Sequence, residues 1–271
     1  MAIEPLKDAE MLRDFLTRDR VAHAYLLGFL DEAYMPFCKW YGNVSEAQIE
    51  ALVLVYSGLS LPAVLTVGPR DPQACDLALG ALMDGVREQL PGRFWIRAWS
   101  HHKPVVERHF KADKLQNMIR MSLRRDDFKG HRDAEAYQAV RRLDHPDTAA
   151  IMALYRHYPD NFFEPYQLES GLYFGIDSDD GKGLAAIAGI HVFSQSHDIA
   201  AIGNLVTDPN YRRRGYATAV TTRLLDELFE SVSLVTLNVQ EGNVAAIGTY
   251  EKFGFDRHHV YYEGPVQSTE G

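Results

Sequence analysis

The order of strand-like and helix-like segments occurs twice along the chain, and this repetition constrains the fold more than any other feature. Apolar periodicity and turn residues predict two strands, a helix, a strand, a helix and a strand in each half. A shift of 140 residues takes Pro69 to Pro209 and places residues 93–99 on residues 233–239. We therefore predict a tandem duplication of an α+β unit, with a chance similarity of two α+β halves as the alternative.

The predicted segments of the first half lie in the following ranges: helices within 8–30, broken near 17–19; strands 51–56, 61–67, 93–99 and 115–124; helices 73–90 and 104–110. Those of the second half lie in these: strands 136–143, 171–176, 184–193, 199–207, 234–239 and 258–263; helices 148–157, 216–230 and 243–253. A highly charged stretch around residue 130 marks the boundary. It predicts domains at 1–128 and 131–271.

Charge and cysteine content exclude several classes of protein. The 271 residues carry a net charge of −9, which disfavours a nucleic-acid partner. Residues 51–68 lack charge, but Gly58 and Pro62 interrupt them, so a hairpin explains them better than a membrane helix. Cys38 and Cys75 form no metal or disulfide pattern and predict two free thiols in a reducing cytosol. The acidic N-terminus resembles no secretory signal.

Residues 204–217 contain the strongest local motif, in which a strand ends in a basic loop that leads directly into an amphipathic helix. Backbone N–H groups at a helix N-terminus have no intrahelical partner and can hold a phosphate where the side chains are small. Gly215 and Ala217 are small, and Arg212, Arg213 and Arg214 add positive charge. An ordinary Arg-rich surface turn is the alternative.

A second motif follows at residues 237–255, which read as a strand, a capping Asn243 and a helix that ends at Gly254. Tyr250 lies on the same helical face as Ala246. Together, Arg212-x-x-Gly215-x-Ala217 and Asn243-x-x-Ala246-x-x-x-Tyr250 resemble the GNAT N-acetyltransferase superfamily. The resemblance covers residues 131–271, whereas the first half resembles it only in its order of elements.

The resemblance implies tandem GNAT-like domains, each with a mixed, mostly antiparallel sheet flanked by helices, whose strands part to admit acetyl-CoA. It also implies cofactor contacts at these residues: Leu205, Val206, Thr207, Arg212, Arg213, Arg214, Gly215, Tyr216, Ala217, Thr218, Asn243 and Ala246. The backbone of residues 205–207 would bind pantetheine and polarise the thioester carbonyl. Tyr250, protonated at neutral pH, would act as the general acid towards the thiolate. No metal is implied.

The general base is open between three residues. His191 lies on the strand before residues 199–207, while Asp160 and Glu164 lie in the loop after helix 148–157. Each also has an ordinary structural explanation, because strand histidines are often satisfied within the fold and loop carboxylates are often only solvated.

The first half lacks the motif residues. The 140-residue shift places Pro72, Cys75, Lys103 and Phe110 on Arg212, Gly215, Asn243 and Tyr250. We therefore expect a first domain without a phosphate loop and an acetyl-CoA-dependent N-acetyltransferase in the second, with direct transfer to a small-molecule or peptide amine. A non-catalytic acyl-CoA-binding or regulatory protein is the alternative, and a purely structural module would leave the arginines without a role. The motifs identify neither the acceptor nor the oligomeric state.

Overall fold

The computed structural model describes residues 5–112, 114–132, 135–158 and 163–268. Contacts divide the chain into two compact units. The first comprises Met1–Arg120, Val239–Asn243 and His258–Gly271, and the second comprises Met121–Asn238 and Val244–Arg257. The end of the chain therefore groups with the first unit, although the composition change near residue 130 predicts domains that follow chain order.

The first half contributes these elements: α1 (Ala9–Leu16), α2 (Ala24–Gly28), β1 (Cys38–Ser45), β2 (Gln48–Tyr56), β3 (Ala63–Val67), α3 (Pro72–Cys75), α4 (Ala81–Val86), β4 (Arg93–Trp99), α5 (Lys103–His109), β5 (Phe110–Ala112) and β6 (Gln116–Arg124). A π-helical stretch, Asp76–Gly80, joins α3 to α4. The second half contributes these: α6 (Glu135–Gln138), β7 (Arg141–Arg142), α7 (Thr148–Tyr155), β8 (Phe174–Asp177), β9 (Leu184–Ser194), β10 (Ile199–Thr207), α8 (Tyr216–Leu228), β11 (Leu234–Gln240), α9 (Val244–Phe253) and β12 (Asp256–Ser268).

The first unit is built on a mixed sheet in the order β1-β2-β3-β4-β12, with β5 paired to β12. Only the β3–β4 pair is parallel among the strand pairs described within this unit. Its core packs Val53 of β2, Leu82 of α4 and Phe94 of β4 together with Tyr262 and Val266 of β12. The C-terminal strand thus supplies part of this core.

The second unit has a sheet in the order β11-β10-β9-β8-β7, antiparallel except for β10 and β11. β9 is buried along most of its length, and α8 turns its apolar face inward through Val220, Leu224 and Leu228. Both units are therefore mixed α/β with mostly antiparallel sheets flanked by helices, which confirms the predicted fold class.

Three strand predictions differ from the structure, and the shortest of these differences is the unanticipated strand β5 (Phe110–Ala112). β1 was not anticipated, because its sequence CKWYGNVS mixes polar and apolar residues and only Trp40 and Tyr41 are buried. The predicted strand 136–143 is wrong, since the helical turn α6 and the two-residue β7 occupy this stretch. Its alternation is short, and the hydroxyl of Tyr137 is bonded to Asp226 on α8, which holds the turn against that helix.

The structure also describes the cysteines, the apolar helices and the potential metal ligands. Both cysteines are free thiols, as predicted. Within the described ranges, no helix is long and apolar enough to cross a membrane, and no group of three or more His, Cys, Asp and Glu side chains could hold a metal ion.

Candidate functional site

A β-bulge interrupts β10 just before the basic loop. The register with β9 passes from Gly203↔Gly189 to Val206↔Ile187, so Asn204 and Leu205 together oppose a single residue of β9. Asn204 has φ = 55°, a left-handed conformation that asparagine tolerates better than most residues. The backbone of the bulge is consequently released from the regular ladder.

Buried phenols hold the side chain of Asn204. The hydroxyl of Tyr155, on α7, donates to Asn204 Oδ1 at 2.6 Å, and Asn204 Nδ2 donates to the Tyr173 hydroxyl at 2.7 Å. Tyr173 in turn donates to the carbonyl of Ile190 at 2.9 Å. Burial raises the pKa of Tyr155 well above its usual value, so its hydroxyl keeps the proton that it donates. The network fixes the bulge from the helix side.

β10 and β11 stop pairing close to the bulge. Their parallel pairing runs from Ile199↔Leu234 to Ile202↔Leu237. The next residue of β11, Asn238, has both side-chain amide atoms buried without a hydrogen-bond partner among the described residues. A buried primary amide without partners is costly unless a ligand satisfies it. Sequence reasoning missed Asn238, although a polar residue within an apolar strand was the available signal.

The loop after β10 carries two left-handed residues, Arg213 (φ = 62°) and Gly215 (φ = 78°). Gly215 is the N-cap of α8 and offers no side-chain acceptor to the first turn of the helix. A Cβ built on Gly215 would meet nothing within 4 Å, so the space in front of this helix end is open. The unpaired N–H groups and the helix dipole therefore face open space, as an anion site requires.

The three arginines of this loop are exposed but differ in their partners. Arg212 donates to the hydroxyl of Tyr158 at 3.1 Å, and that hydroxyl donates to the carbonyl of Thr207. Arg214 pairs with Asp179 at 2.6 Å, an exposed ion pair that contributes little to stability. The loop thus keeps an excess of positive charge beside the open helix end.

Tyr250 lies in the last two turns of α9, half-buried, with its ring edge against Phe255 at 5.9 Å between centroids. Burial raises the pKa of Tyr250 to about 12, so the phenol is protonated at neutral pH. Its hydroxyl makes no hydrogen bond to another residue of the described chain. It therefore has a proton to give, and no acceptor within the described part of the chain competes for that proton.

Of the candidate bases, His191 is the one that the structure places beside β10. It lies on β9, half-buried, and its imidazole occupies the space that a side chain at Gly203 would need. Glu164 instead caps the 3-10 turn Pro165–Ser170, where it accepts from the backbone of Gln167. Asp160 lies outside the described residues. Geometry therefore brings only His191 of the two described candidates against β10.

The remaining predicted site residues lie on the elements that the sequence predicts for them. Leu205, Val206 and Thr207 end β10, and Tyr216, Ala217 and Thr218 form the first turn of α8. Asn243 immediately precedes α9, with its backbone N–H bonded to the Gln240 carbonyl, and Ala246 is half-buried on the first turn of that helix. Sequence reasoning did not anticipate Asn204, Tyr155, Tyr158 or Asp179 as supporting residues.

Comparison with known proteins gives this geometry a family context. Residues 136–255 match the model of the acetyltransferase (GNAT) family. The [ribosomal protein bS18]-alanine N-acetyltransferase of Escherichia coli K12 is 40% identical over 60 residues, which are 22% of this chain and 40% of that enzyme. The enzyme of the same name from Salmonella typhimurium is 35% identical over 92 residues, 33% of this chain and 58% of that enzyme. The chain thus spans less than two thirds of either relative.

Solved structures resemble the whole chain at low identity. A Drosophila protein has a TM-score of 0.72 at 17% identity and covers 98% of both chains. A GCN5-related N-acetyltransferase from Sphaerobacter thermophilus has a TM-score of 0.62 at 14% identity, covering 99% of this chain and 96% of its own. A tandem GNAT protein from the clavulanic acid biosynthesis pathway has a TM-score of 0.58 at 12% identity and covers 99% of each. At these identities the likeness establishes the fold alone.

Proposed function

Because residues 136–255 match the model of the acetyltransferase (GNAT) family, we propose that the chain is an acetyl-CoA-dependent N-acetyltransferase that passes the acetyl group directly to an acceptor amine. One observation carries the proposal. The bulged end of β10 is followed, after the 3-10 turn Pro209–Tyr211, by an arginine-rich helix N-terminus that has no side-chain cap. This arrangement offers backbone donors to a thioester and to a diphosphate along one stretch of chain.

The residues present fit acetyl-CoA. The open cradle before Gly215 and the cationic side chains of Arg212, Arg213 and Arg214 suit a pyrophosphate. The orphaned amide of Asn238 matches the amide groups of a pantetheine arm, which can both donate to it and accept from it. Acetyl-CoA would supply an activated thioester, and the protein would add binding, polarisation of the carbonyl and proton transfer.

Backbone N–H groups within residues 205–207 would donate to the thioester carbonyl oxygen as negative charge develops there. The amine nitrogen forms the new C–N bond, the C–S bond breaks, and Tyr250 gives its proton to the sulfur. The amine would give its surplus proton to His191 or to water held near it, and the Tyr250 phenolate would take up a proton from the same source before the next turnover. This assignment of the base rests on the position of the imidazole against Gly203.

The first domain, residues 1–128 in the predicted division, would not bind the cofactor. Its corresponding helix end begins at Pro72, which has no N–H, and the Asp71 carboxylate already accepts from Ala74 N at 2.8 Å. A carboxylate at this position repels a phosphate and occupies its donors. We therefore propose one acetyl-CoA per chain, bound by the second domain, residues 131–271.

The acceptor is an amine of a small molecule or a peptide. The curated relatives are named for an alanine of ribosomal protein bS18, which supports an amine acceptor. An acceptor library that contains amino acids, polyamines, aminoglycosides and peptides with free N-termini, assayed by CoA release from the full chain, tests the reaction and finds its substrate. Stoichiometric CoA binding without turnover across the library would favour the alternative, a non-catalytic acyl-CoA-binding protein.

Charge reversal tests the binding site independently of the acceptor. Arg212→Glu combined with Arg214→Glu should raise the Kd of CoA at least tenfold in calorimetry, with less effect on pantetheine, because both changes repel the same diphosphate. Arg93→Glu with Arg124→Glu is the matched control, since both arginines are exposed and lie outside the loop. Equal losses in the two double variants would show only an effect of net charge, and two sites per chain would exclude the assignment.

A further inference from the structure

A pocket in the first unit lies where β3 and β4 stop pairing. The parallel register ends at Leu65↔Arg97, and the residues just beyond it, Thr66, Ala98 and Trp99, line the pocket. Tyr25 of α2, Arg120 and Tyr261 complete the polar part of the wall. The centre of a water molecule can occupy about 30 Å³ of this space, which suffices for a very small molecule.

The pocket collects more positive than negative charge. Arg97 donates from Nε to Glu263 at 2.8 Å, and Arg97 and Arg120 place their guanidinium carbons 4.3 and 4.6 Å from the centre of the Tyr25 ring. Burial opposes the charge of Arg97, but Glu263 and the nearby phenols more than offset this and raise its pKa. Among the pocket residues and the carboxylate bonded to them, two cations therefore face one anion.

Two donor groups on residues that line this pocket have no hydrogen-bond partner among the residues that the structure describes. Arg120 is 4% exposed, and its Nε is buried without a hydrogen bond among the described residues, while its Nη1 reaches only the Val21 carbonyl at 3.4 Å. The hydroxyl of Tyr261, also 4% exposed, is equally without a partner. Burial raises the pKa of Tyr261, so this hydroxyl remains a donor. A bound anion would accept hydrogen bonds from these buried donors and would balance the excess positive charge beside them.

We propose that this pocket binds a small aliphatic carboxylate that accepts from Arg120 Nε and from the Tyr261 hydroxyl. A carboxylate is planar and matches the fork of a guanidinium, and it would bring the two cations and one anion to charge balance. The apolar part of the wall, formed by Ala22, Leu26, Leu65 and Ala98, suits a short alkyl chain rather than a fully hydrated phosphate. The proposal does not depend on acetyl transfer by the second unit.

Calorimetry on the full chain with sodium propionate tests the proposal, and the fluorescence of Trp99, which lines the pocket, gives a second readout. We expect saturable binding of one propionate per chain. Propionamide, which has the same shape without the charge, and inorganic phosphate should not bind at this site. Absence of saturable binding would mean that ordered water alone fills the pocket, and equal binding of propionamide or phosphate would exclude a carboxylate site.

Two matched tyrosine variants locate the bound anion. Tyr261→Phe removes the unpartnered hydroxyl in the pocket and should weaken propionate binding about tenfold or more, the usual cost of losing a hydrogen bond to a charged group. Tyr262→Phe removes a hydroxyl that is also buried without a partner, but within the apolar core of the same unit, and should leave binding unchanged. Both variants keep the ring, and their melting temperatures report whether the fold survives. Unchanged binding in Tyr261→Phe, or an equal loss in both variants, would overturn the assignment.

Discussion

Replacing Asn204 by Ala and by Gly separates two contributions to the β10 bulge. Both substitutions remove the amide that Tyr155 and Tyr173 contact, but only Ala places a Cβ at φ = 55°. Glycine adopts this conformation without steric cost, whereas Ala does not. The difference between the two variants therefore measures backbone strain, and the cost that they share measures the buried hydrogen bonds.

The expected loss of stability depends on which hydrogen bonds each tyrosine hydroxyl keeps after the substitution. Tyr155 loses Asn204 Oδ1, the acceptor of its hydroxyl, and becomes a buried, unpaired hydroxyl, which costs about 1–3 kcal/mol. Tyr173 loses one contact but still donates to the Ile190 carbonyl, so its loss is about 1 kcal/mol or less. We expect Asn204→Gly to lower the free energy of unfolding by about 2–3 kcal/mol and Asn204→Ala by about 1–2 kcal/mol more.

Equilibrium urea denaturation followed by far-UV circular dichroism measures both variants, with Asn117→Ala as the control. Asn117 is an exposed strand asparagine bonded to Glu241, so its replacement should change the free energy of unfolding by no more than about 0.5 kcal/mol. A Tyr155→Phe/Asn204→Gly double variant should cost clearly less than the sum of the singles, because both remove the same hydrogen bond. Equal costs for Gly and Ala would refute the strain argument, and full additivity would refute the network.

The same substitutions should affect turnover if the bulge presents its backbone to a thioester. Removing one well-placed oxyanion donor costs about 10²-fold or more in kcat, so a relaxed bulge in Asn204→Ala should lower kcat by a comparable factor. Binding of CoA, measured by calorimetry, should change less, because the helix N-terminus at Gly215 lies beyond the bulge. A stability loss without any change in kcat would confine the role of Asn204 to folding.

Two further substitutions and one truncation test other parts of the molecule. Tyr250→Phe should preserve acetyl-CoA binding and lower kcat about 10²- to 10⁴-fold in a CoA-release assay, whereas an unchanged kcat would assign protonation of the thiolate to water. The kcat of the wild-type protein should not fall through ionisation of Tyr250 up to about pH 10, because the pKa of Tyr250 is raised to about 12. Gly203→Ala should cost about 1–3 kcal/mol in urea denaturation and reduce kcat, because its Cβ collides with the His191 imidazole, whereas Gly183→Ala, which meets no neighbour, should change neither. A chain that ends at Arg257 loses the part of β12 that pairs with β4. The fluorescence of Trp95 and Trp99, which lie on β4, should therefore shift to the red. An unshifted spectrum would contradict the assignment of the C-terminal strand to the first unit.

Local patterns predicted most elements of both units and the position of the candidate site. The hairpin at residues 51–67 and strands β9 and β10 were predictable because their apolar runs end at turn residues. The basic loop was predictable because Gly215 and the arginines adjoin a regular amphipathic helix. In each case the information lies within about twenty consecutive residues.

The features that sequence reasoning missed depend on contacts between distant segments. The role of Asn204 arises from Tyr155 and Tyr173, which lie 49 and 31 residues earlier. The pocket of the first unit joins Tyr25, Arg97 and Tyr261, which are far apart in the sequence and come together only in the folded chain. Hydrophobic periodicity also could not predict that β12 belongs to the first unit, because the pattern of one strand does not indicate which strand it pairs with.

The chemical difference between the two units is largest where their parallel strands separate. In the second unit the last paired residue of β11 is the apolar Leu237, followed by the unpartnered amide of Asn238. In the first unit the residue at the matching place on β4 is Arg97, charged and packed on Tyr25. A neutral amide beside apolar side chains suits a pantetheine arm, whereas a buried guanidinium cluster with unpaired donors suits a small anion. The tandem duplication that we predict would therefore place two different ligands at corresponding strand ends, and calorimetry can measure the binding of each ligand in the presence of the other.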